Sequence, residues 1–400
     1  MRIVSILVAL SLTTSLLFSS TDINSTESQE PDLFTSQEDG AFDVSDYLAT
    51  KYGFMPVPML ITEPAVGYGA GLSLLFLHDT FASMSEKKSP PSISGVMAMA
   101  TENGTWAGGA FHLGYWREDS IRSTTAAAFL NVNANFYIPT PIKDLPIDMN
   151  INGYVAYQEL MFRLGESNFF LGGNYLYTDN QSSRNQEANT PIDRLLNKLF
   201  EQEIKMGAVA AIVQYDTRDS TFTPSEGLFA KATVRRFDEA FGGNENFWRY
   251  GAKAFYFLPL DPVVIGLRVE GEAVHTSSED NVPFYSNPAL VMRGIPGMRY
   301  QGEKMLLSEL QLRWEFINRW NLVLFGGGGK VFGKQSLIVK QDVIDTTVSL
   351  SDADFHPAGG AGFRYELARK FGMWGGIDFA TSEENNFAFY FTVGSAWGAF

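Results

Sequence analysis

The sequence predicts an all-β protein, a transmembrane antiparallel β-barrel of about sixteen strands. Segments in which apolar and polar residues alternate with a period of two follow one another through most of the 400 residues. Aromatic residues make up 14% of the chain and glycines number 37, as expected for strands, turns and interface rings. No run after residue 20 is long and apolar enough for a spanning helix, so a membrane crossing requires a closed barrel.

The amino terminus reads as an export signal followed by a polar segment. Residues 1–20 start with Met1-Arg2 and continue with an apolar stretch shorter than the ~20 residues of a spanning helix, which is typical of a signal peptide. Residues 21–53 are rich in Ser, Thr, Glu, Gln and Asp, and we expect a mobile periplasmic segment with a short helix capped by Asp43 or Ser45. The barrel is assigned to residues 54–400.

Sixteen segments of this last region are predicted to be strands, with a polar external loop at Asp179–Glu203 that contains a short helix at Ile192–Phe200. The predicted strands are Phe54–Ile61, Val66–Leu77, Ile93–Thr101, Trp106–Trp116, Thr124–Tyr137, Ile147–Arg163, Phe169–Thr178, Lys205–Tyr215, Leu228–Phe237, Phe247–Leu258, Val263–His275, Met305–Phe316, Leu322–Phe332, Ala358–Leu367, Met373–Ala380 and Phe387–Trp397.

The first predicted strand contains Pro56 and Pro58, which are tolerated only at an edge or a seam because proline has no amide proton for a β-ladder. With Trp397 and Phe400 at the other end of the chain, they predict a weak seam between the first and last strands.

Alternation also predicts which face of each strand meets lipid. In Met305–Phe316, Leu306 and Leu310 share a face opposite Glu309, and we expect the apolar face outside and the polar face in the lumen. The same rule places the apolar side chains of Ile147–Tyr157 outside and Asn150 inside. Apolar and polar residues also alternate in the strands of a water-soluble β-sandwich, but that fold does not require aromatic residues at strand ends.

Composition and motifs exclude several classes of function. The net charge of −15 argues against nucleic-acid binding, and the absence of cysteine excludes disulfides and a lipid anchor. The four histidines are not at metal-ligand spacing, and no Gly-x-Ser-x-Gly motif is present. We therefore expect no enzyme, no metal and no cofactor.

Two motifs carry more specific information. Met292-Arg293-Gly294-Ile295 forms the tip of a long loop, and Tyr215-Asp-Thr-Arg-Asp219 is followed by Gly227. These motifs, with the aromatic last strand, resemble the BamA/TamA family of outer-membrane assembly barrels over residues 54–400. The resemblance implies that the loop Leu290–Gly302 folds into the lumen. The segment before Phe54 is too short for a polypeptide-transport-associated (POTRA) domain, so we expect a short member without one.

The resemblance further implies that acidic groups in the lumen hold Arg293, beside Gly294. The family's Ala-Glu-Leu-Arg is Leu310-Gln311-Leu312-Arg313 here, which would shift the partner to Glu309 or Asp378. The full set of candidate partners is Glu270, Glu272, Glu309, Glu315 and Asp378. The alternative is that Arg293 is a solvated loop residue.

The motif Asp216, Arg218, Asp219 and Gly227 has two interpretations. It forms either a surface that meets a client or a turn with local ion pairs, and the second is favoured.

The resemblance implies a protein that helps β-barrel or other polypeptides enter or cross the outer membrane of a Gram-negative bacterium, through a weak seam. The expected partners are outer-membrane lipid, client β-barrel polypeptides and a periplasmic helper protein. A passive channel or solute transporter, a lipid-handling barrel and a structural outer-membrane protein are the alternatives.

Overall fold

The computed structural model describes residues 33–50, 53–78, 91–138, 145–185, 191–277, 282–339, 342–383 and 387–397. The predicted signal peptide at residues 1–20 and the predicted seam residue Phe400 lie outside this described part of the chain.

The described residues form two short α-helices, α1 (Ser45–Thr50) and α2 (Pro191–Phe200), three single-turn 3-10 helices and seventeen strands. The strands are β1 (Gly53–Ile61), β2 (Gly69–Leu77), β3 (Ile93–Thr101), β4 (Trp106–Trp116), β5 (Ile121–Ile138), β6 (Leu145–Arg163), β7 (Phe169–Arg184), β8 (Gln202–Asp216), β9 (Gly227–Phe237), β10 (Phe247–Leu260), β11 (Val263–His275), β12 (Lys304–Ile317), β13 (Trp320–Val339), β14 (Asp342–Val348), β15 (His356–Ala368), β16 (Met373–Ser382) and β17 (Phe387–Val393). None of these helices is long or apolar enough to cross a membrane.

Each strand pairs antiparallel with the next, from β1 to β13 and from β15 to β17. The first half of β13 pairs with β15, and its second half forms a hairpin with β14. The hairpin therefore extends beyond the wall, and sixteen strands form a nearly closed barrel. The predicted fold class is confirmed.

Two ends of the barrel can be named from its connections. The turn end carries the β12–β13 turn at Arg319, and the loop end carries the connection from β11 to β12. Part of the predicted loop at Asp179–Glu203 is strand instead, because β7 continues to Arg184 and β8 begins at Gln202. The β14 hairpin was not among the predicted strands.

On β12 the side chains alternate as predicted. Met305, Leu307 and Glu309 are buried inside the barrel, whereas Leu306 and Leu310 are exposed on its outer face. Large apolar side chains are exposed on the outer face of the wall, and aromatic ones such as Trp116 and Trp314 are exposed near the turn end.

On β6 the predicted faces are wrong. Ile147, Met149 and Ile151 are buried inside, and Asn150 and Asn152 point outward. The physical reason is length, because β6 has 19 residues whereas a membrane-spanning strand needs about 9–11. We infer that the excess lies beyond the bilayer at the loop end, with water on its outer face, since the inner face there packs in an apolar core.

Near the seam the strands are much shorter: β1 has 9 residues and β17 has 7. The prediction that the last strand runs to Trp397 is wrong, since Gly394 takes a φ of +79° and turns the chain away. Trp397 then packs inside the barrel against Phe255 and Phe257, with ring centroids 5.9 and 5.6 Å apart.

Candidate functional site

The connection between β11 and β12 enters the barrel as a compact loop, which we call the lumen loop (residues 289–302). Leu290 N donates to Tyr300 O at 2.9 Å and Gly302 N to Pro288 O at 3.0 Å, which closes the base of the loop. Met292 and Ile295 are buried in one apolar cluster with the inward side chains of β12. The loop is therefore part of the packed interior.

At its tip, Arg293 makes four kinds of contact. Its guanidinium donates to Glu309 of β12 through Nε at 3.1 Å and through Nη2, and to Asp378 of β16 through Nη1 at 2.7 Å. Nη2 also donates to Gln311 Oε1 at 2.9 Å. The guanidinium lies 3.6 Å from the ring centroid of Phe325. Each of the three guanidinium nitrogens of Arg293 thus donates to a side chain of the barrel strands.

Two further arginines share the same carboxylates. Arg364 forms a bidentate pair with Asp378 at 2.8 and 2.7 Å, and Arg268 lies 3.2 Å from Glu309 and 3.0 Å from Glu270. Glu309 is 1% exposed and Asp378 is fully buried. Three cations and three carboxylates alternate, so the charges balance, and removal of one member would leave a buried charge unpaired.

The other candidate partners lie elsewhere. Glu272 pairs with Arg249 of β10 at 2.5 Å, and Glu315 is exposed near the turn end. Of the predicted set, the structure brings Arg293, Glu309 and Asp378 into direct contact and reaches Glu270 through Arg268.

The lumen loop also touches both sides of the seam. Gly294 N donates to the hydroxyl of Tyr390 on β17 at 3.1 Å, and Gly297 N donates to Glu63, just after β1, at 3.0 Å. Gly294 has a φ of +92°, and a Cβ there would lie 2.8 Å from Thr381 O. Sequence reasoning missed Tyr390 and Glu63, although alternation places Tyr390 on the lumen face of its strand.

No register of paired positions joins β1 to β17 among the described residues. The direction of the β1 backbone groups follows from the neighbouring ladder. Glu102 N donates to Tyr68 O, so the even-numbered residues of β2 bond to β3 and the odd-numbered ones to β1. In the β1–β2 register, odd-numbered residues of β1 pair with odd-numbered residues of β2. The backbone N–H and C=O groups of the even-numbered residues of β1 therefore point toward the seam. These residues are Phe54, Pro56, Pro58 and Leu60.

The seam edge of β1 therefore lacks amide donors at two of four positions. On β17, Gly394 N donates to Trp374 O, so the even residues face β16 and the odd residues face the seam. Phe389 is one of these odd residues, and its carbonyl accepts a bond from Thr62 Oγ1. Tyr68 also stacks on Phe389, with centroids 5.9 Å apart. These two direct contacts across the seam lie at the loop end.

At the turn end, residues 33–50 form a segment that we call the amino-terminal strap. Arg319 is 1% exposed and binds Asp39 at 2.5 Å and Asp43 at 2.8 Å. Its hydrogen bonds hold the pKa of Asp39 well below the usual range. Burial alone would raise the pKa of Asp43, but hydrogen bonds from Ser45 and Arg319 outweigh it and lower that pKa.

The strap reaches across the seam. Val44 N donates to Leu367 O of β15 at 2.8 Å, and Val44 and Leu48 pack in one cluster with Leu77 of β2 and Ala368 of β15. The strap and the lumen loop therefore bridge the two sides of the seam at opposite ends. Sequence reasoning predicted a helix here but gave no signal for its docking on Arg319.

The Asp216 motif forms a braced turn. Arg218 Nε lies 2.9 Å from Asp216 Oδ1, and the two side chains are 2% and 5% exposed. Asp219 Oδ1 accepts the amide proton of Ser225 at 2.9 Å. At Gly227, φ is +104° and a Cβ would lie 2.3 Å from a backbone oxygen. Burial of the ion pair favours the structural interpretation over an exposed client surface.

The loop-end half of the lumen is filled by an apolar cluster. Met59, Met149, Leu176 and Phe247 are buried in it, together with Leu196 of α2. Within the described residues, no group of three metal-ligating side chains converges.

Comparisons with known proteins agree with this architecture. The family profile of the Omp85 superfamily domain matches residues 111–288. BamA from Haemophilus ducreyi lacking POTRA domains 1–3 superimposes with a TM-score of 0.55 at 12% identity, over 86% of this chain and 70% of that one. CdiB from Acinetobacter baumannii gives 0.51 at 10% identity, over 85% of this chain and 59% of that one. No curated protein matches significantly in sequence.

Proposed function

We propose that this chain helps polypeptides enter or cross the bacterial outer membrane through the β1–β17 seam, because residues 111–288 match the profile of the Omp85 superfamily domain and the chain folds as a barrel similar to that of BamA. In this proposal the turn end faces the periplasm and the loop end faces outward. The observation that carries it is the seam, where described residues form no ladder and Pro56 and Pro58 face the gap.

The two edges of the seam differ in what they offer to a client strand. The β1 edge has carbonyl acceptors at Pro56 and Pro58 but no donors there. The β17 edge presents both donors and acceptors at Phe387, Phe389 and Phe391. An incoming strand would therefore gain more hydrogen bonds by adding to β17, in the manner of β-augmentation.

The lumen loop and the strap would control how far the seam opens. The loop is fixed to β12 and β16 through Arg293, and it touches β17 through Gly294. It therefore holds the β17 side in place, and the hydrogen bond from Gly297 to Glu63 would break when β1 moves. A periplasmic helper protein that delivers clients to the turn end is part of the proposal.

A cross-link across the seam tests the proposed function. The chain contains no cysteine, so Thr62→Cys with Phe389→Cys introduces a single pair, at residues that touch across the seam. Protein joined by a short bis-maleimide should insert a denatured outer-membrane barrel into liposomes at least about tenfold more slowly than the uncoupled variant.

A matched control is Ala232→Cys with Ala252→Cys, which joins outward residues already paired in the β9–β10 ladder. This link should leave insertion unchanged. Equal insertion by the seam-linked and control-linked proteins would overturn the proposal.

A further inference from the structure

Two imidazoles and a hydroxyl form a hydrogen-bonded row on the outer face of the barrel. His78 Nε2 lies 2.8 Å from Ser94 Oγ, and Ser94 Oγ lies 2.9 Å from His112 Nδ1. Ser94 and His112 are directly opposite each other on β3 and β4, and His78 follows the end of β2. We call these three residues the His–Ser–His row.

Aromatic rings extend the row in both directions. Phe76 lies between His78 and Phe54 of β1, with centroid distances of 5.0 Å on each side. His112 lies 5.7 Å from Trp116 at the turn end of β4. The rings thus run from the seam strand to β4, at the level where indole and phenyl groups meet lipid headgroups.

The hydrogen-bond pattern fixes what the row offers outward. One hydroxyl carries one proton, so Ser94 donates to one imidazole and accepts an N–H from the other. Of the two ring nitrogens that face away from Ser94, one is then a donor and one an acceptor. A single added proton makes both of them donors and gives the row a positive charge, which matches the oxygens of a phosphate group.

The surface beside the row is apolar. Leu72, Leu74 and Val96 lie on the same outer face toward the loop end and are 47%, 39% and 50% exposed. A charged headgroup at the row would therefore continue into hydrocarbon along these side chains.

We propose that the His–Ser–His row binds the phosphodiester headgroup of a glycerophospholipid from the leaflet at the turn end, with its acyl chains on Leu72, Leu74 and Val96. The lipid would lie two strands from the seam edge. The inference depends only on the barrel spanning a membrane and holds whether or not polypeptides pass through the seam.

Native mass spectrometry of the full chain in detergent, titrated with phosphatidylglycerol, tests the site. The variant with His78→Gln and His112→Gln should retain one phospholipid fewer, or bind it about tenfold more weakly. The control is His275→Gln, because His275 is an exposed imidazole at the loop end, opposite Trp248. It should retain the wild-type number.

A second variant, Ser94→Ala, keeps both imidazoles and should also weaken binding, which provides a readout if the double variant does not fold. Equal phospholipid retention by His275→Gln, Ser94→Ala and the double variant would overturn the proposal. Displacement of the lipid by inorganic phosphate at equal concentration would overturn it as well, because the site would then bind a free anion.

Discussion

Gly294 donates its amide proton to the hydroxyl of Tyr390 across 3.1 Å, and this bond ties the lumen loop to the last strand. A side chain at residue 294 would be strained by its φ of +92° and would also meet the backbone of Thr381. Gly165 has a φ of +61°, but a Cβ added there would have no atom within 4 Å, so this residue separates the two effects.

We expect Gly294→Ala to lower the free energy of unfolding by about 1–3 kcal/mol more than Gly165→Ala. The physical reason is the contact with Thr381, which only the first variant creates. Urea denaturation in detergent, followed by heat-modifiable gel migration, measures the difference. Equal losses would mean that the loop tip adjusts without cost.

Replacing Arg293 by Ala leaves Glu309 and Asp378 buried with one cation fewer. We expect a loss of about 3–5 kcal/mol in unfolding free energy, the range for breaking a buried ion pair. The control is Arg236→Ala, because its pair with Asp238 is 29% and 31% exposed and should contribute no more than about 1 kcal/mol. Similar stability of the two variants would contradict a lock at Arg293.

Replacing Pro56 and Pro58 by Val restores two amide donors to the seam edge of β1. We expect a more heat-resistant barrel and slower client insertion, because β1 and β17 can then form a ladder. Leu60→Val on the same edge changes the side chain without adding a donor and should leave both heat resistance and insertion unchanged. Faster insertion by the proline variant would show that the missing donors do not weaken the seam.

The strap should detach in acid. Docking lowers the pKa of Asp39 and Asp43, so their stabilisation is fully present above the ordinary carboxyl value of about 3.9 and is lost progressively as the pH falls from there through the lowered pKa values of the docked strap. A spin label at Gln37→Cys should stay immobile down to about pH 4 and become more mobile as the pH is lowered from there toward about pH 1. A label at Glu166→Cys, in the β6–β7 turn, should change little over the same range.

The apolar cluster in the lumen predicts a small conductance. In a planar bilayer we expect brief, low-amplitude openings from the unmodified protein, because the buried apolar cluster occupies much of the loop-end half of the lumen. Deleting Gly294–Gly302 removes most of the lumen loop and should raise the conductance. A large, steady conductance before any deletion would favour the passive-channel alternative.

The sequence predicted the wall of the barrel because apolar and polar residues alternate with a period of two within each strand. It did not predict the faces of β6, since alternation separates two faces but does not say whether water or lipid lies outside. Asn150 is polar and outward because its part of the strand rises beyond the bilayer, which depends on strand length and on what fills the lumen.

The site divides in the same way. Arg293, Glu309 and Asp378 could be named because the family resemblance implies a lock between the loop arginine and acids in the lumen, and strand alternation places both acids on the lumen face. The ion pair between Arg319 and Asp39 joins residues 280 positions apart in the sequence, and no local pattern in either segment predicts it. Glu63 and Tyr390 were missed for the same reason, since their importance depends on where the lumen loop rests.

The unequal strand lengths also act on the surrounding lipid. With 7 residues, β17 is shorter than the about 9–11 residues of a membrane-spanning strand, so the hydrophobic belt on the β17 side of the seam is thinner than the hydrocarbon of a typical bilayer, about 30 Å. Lipids there must compress or tilt to match it, and such mismatch costs a fraction of a kcal/mol per ångström. A polypeptide that enters the membrane at this side would cross a bilayer that is already thinned, which lowers the cost of its insertion.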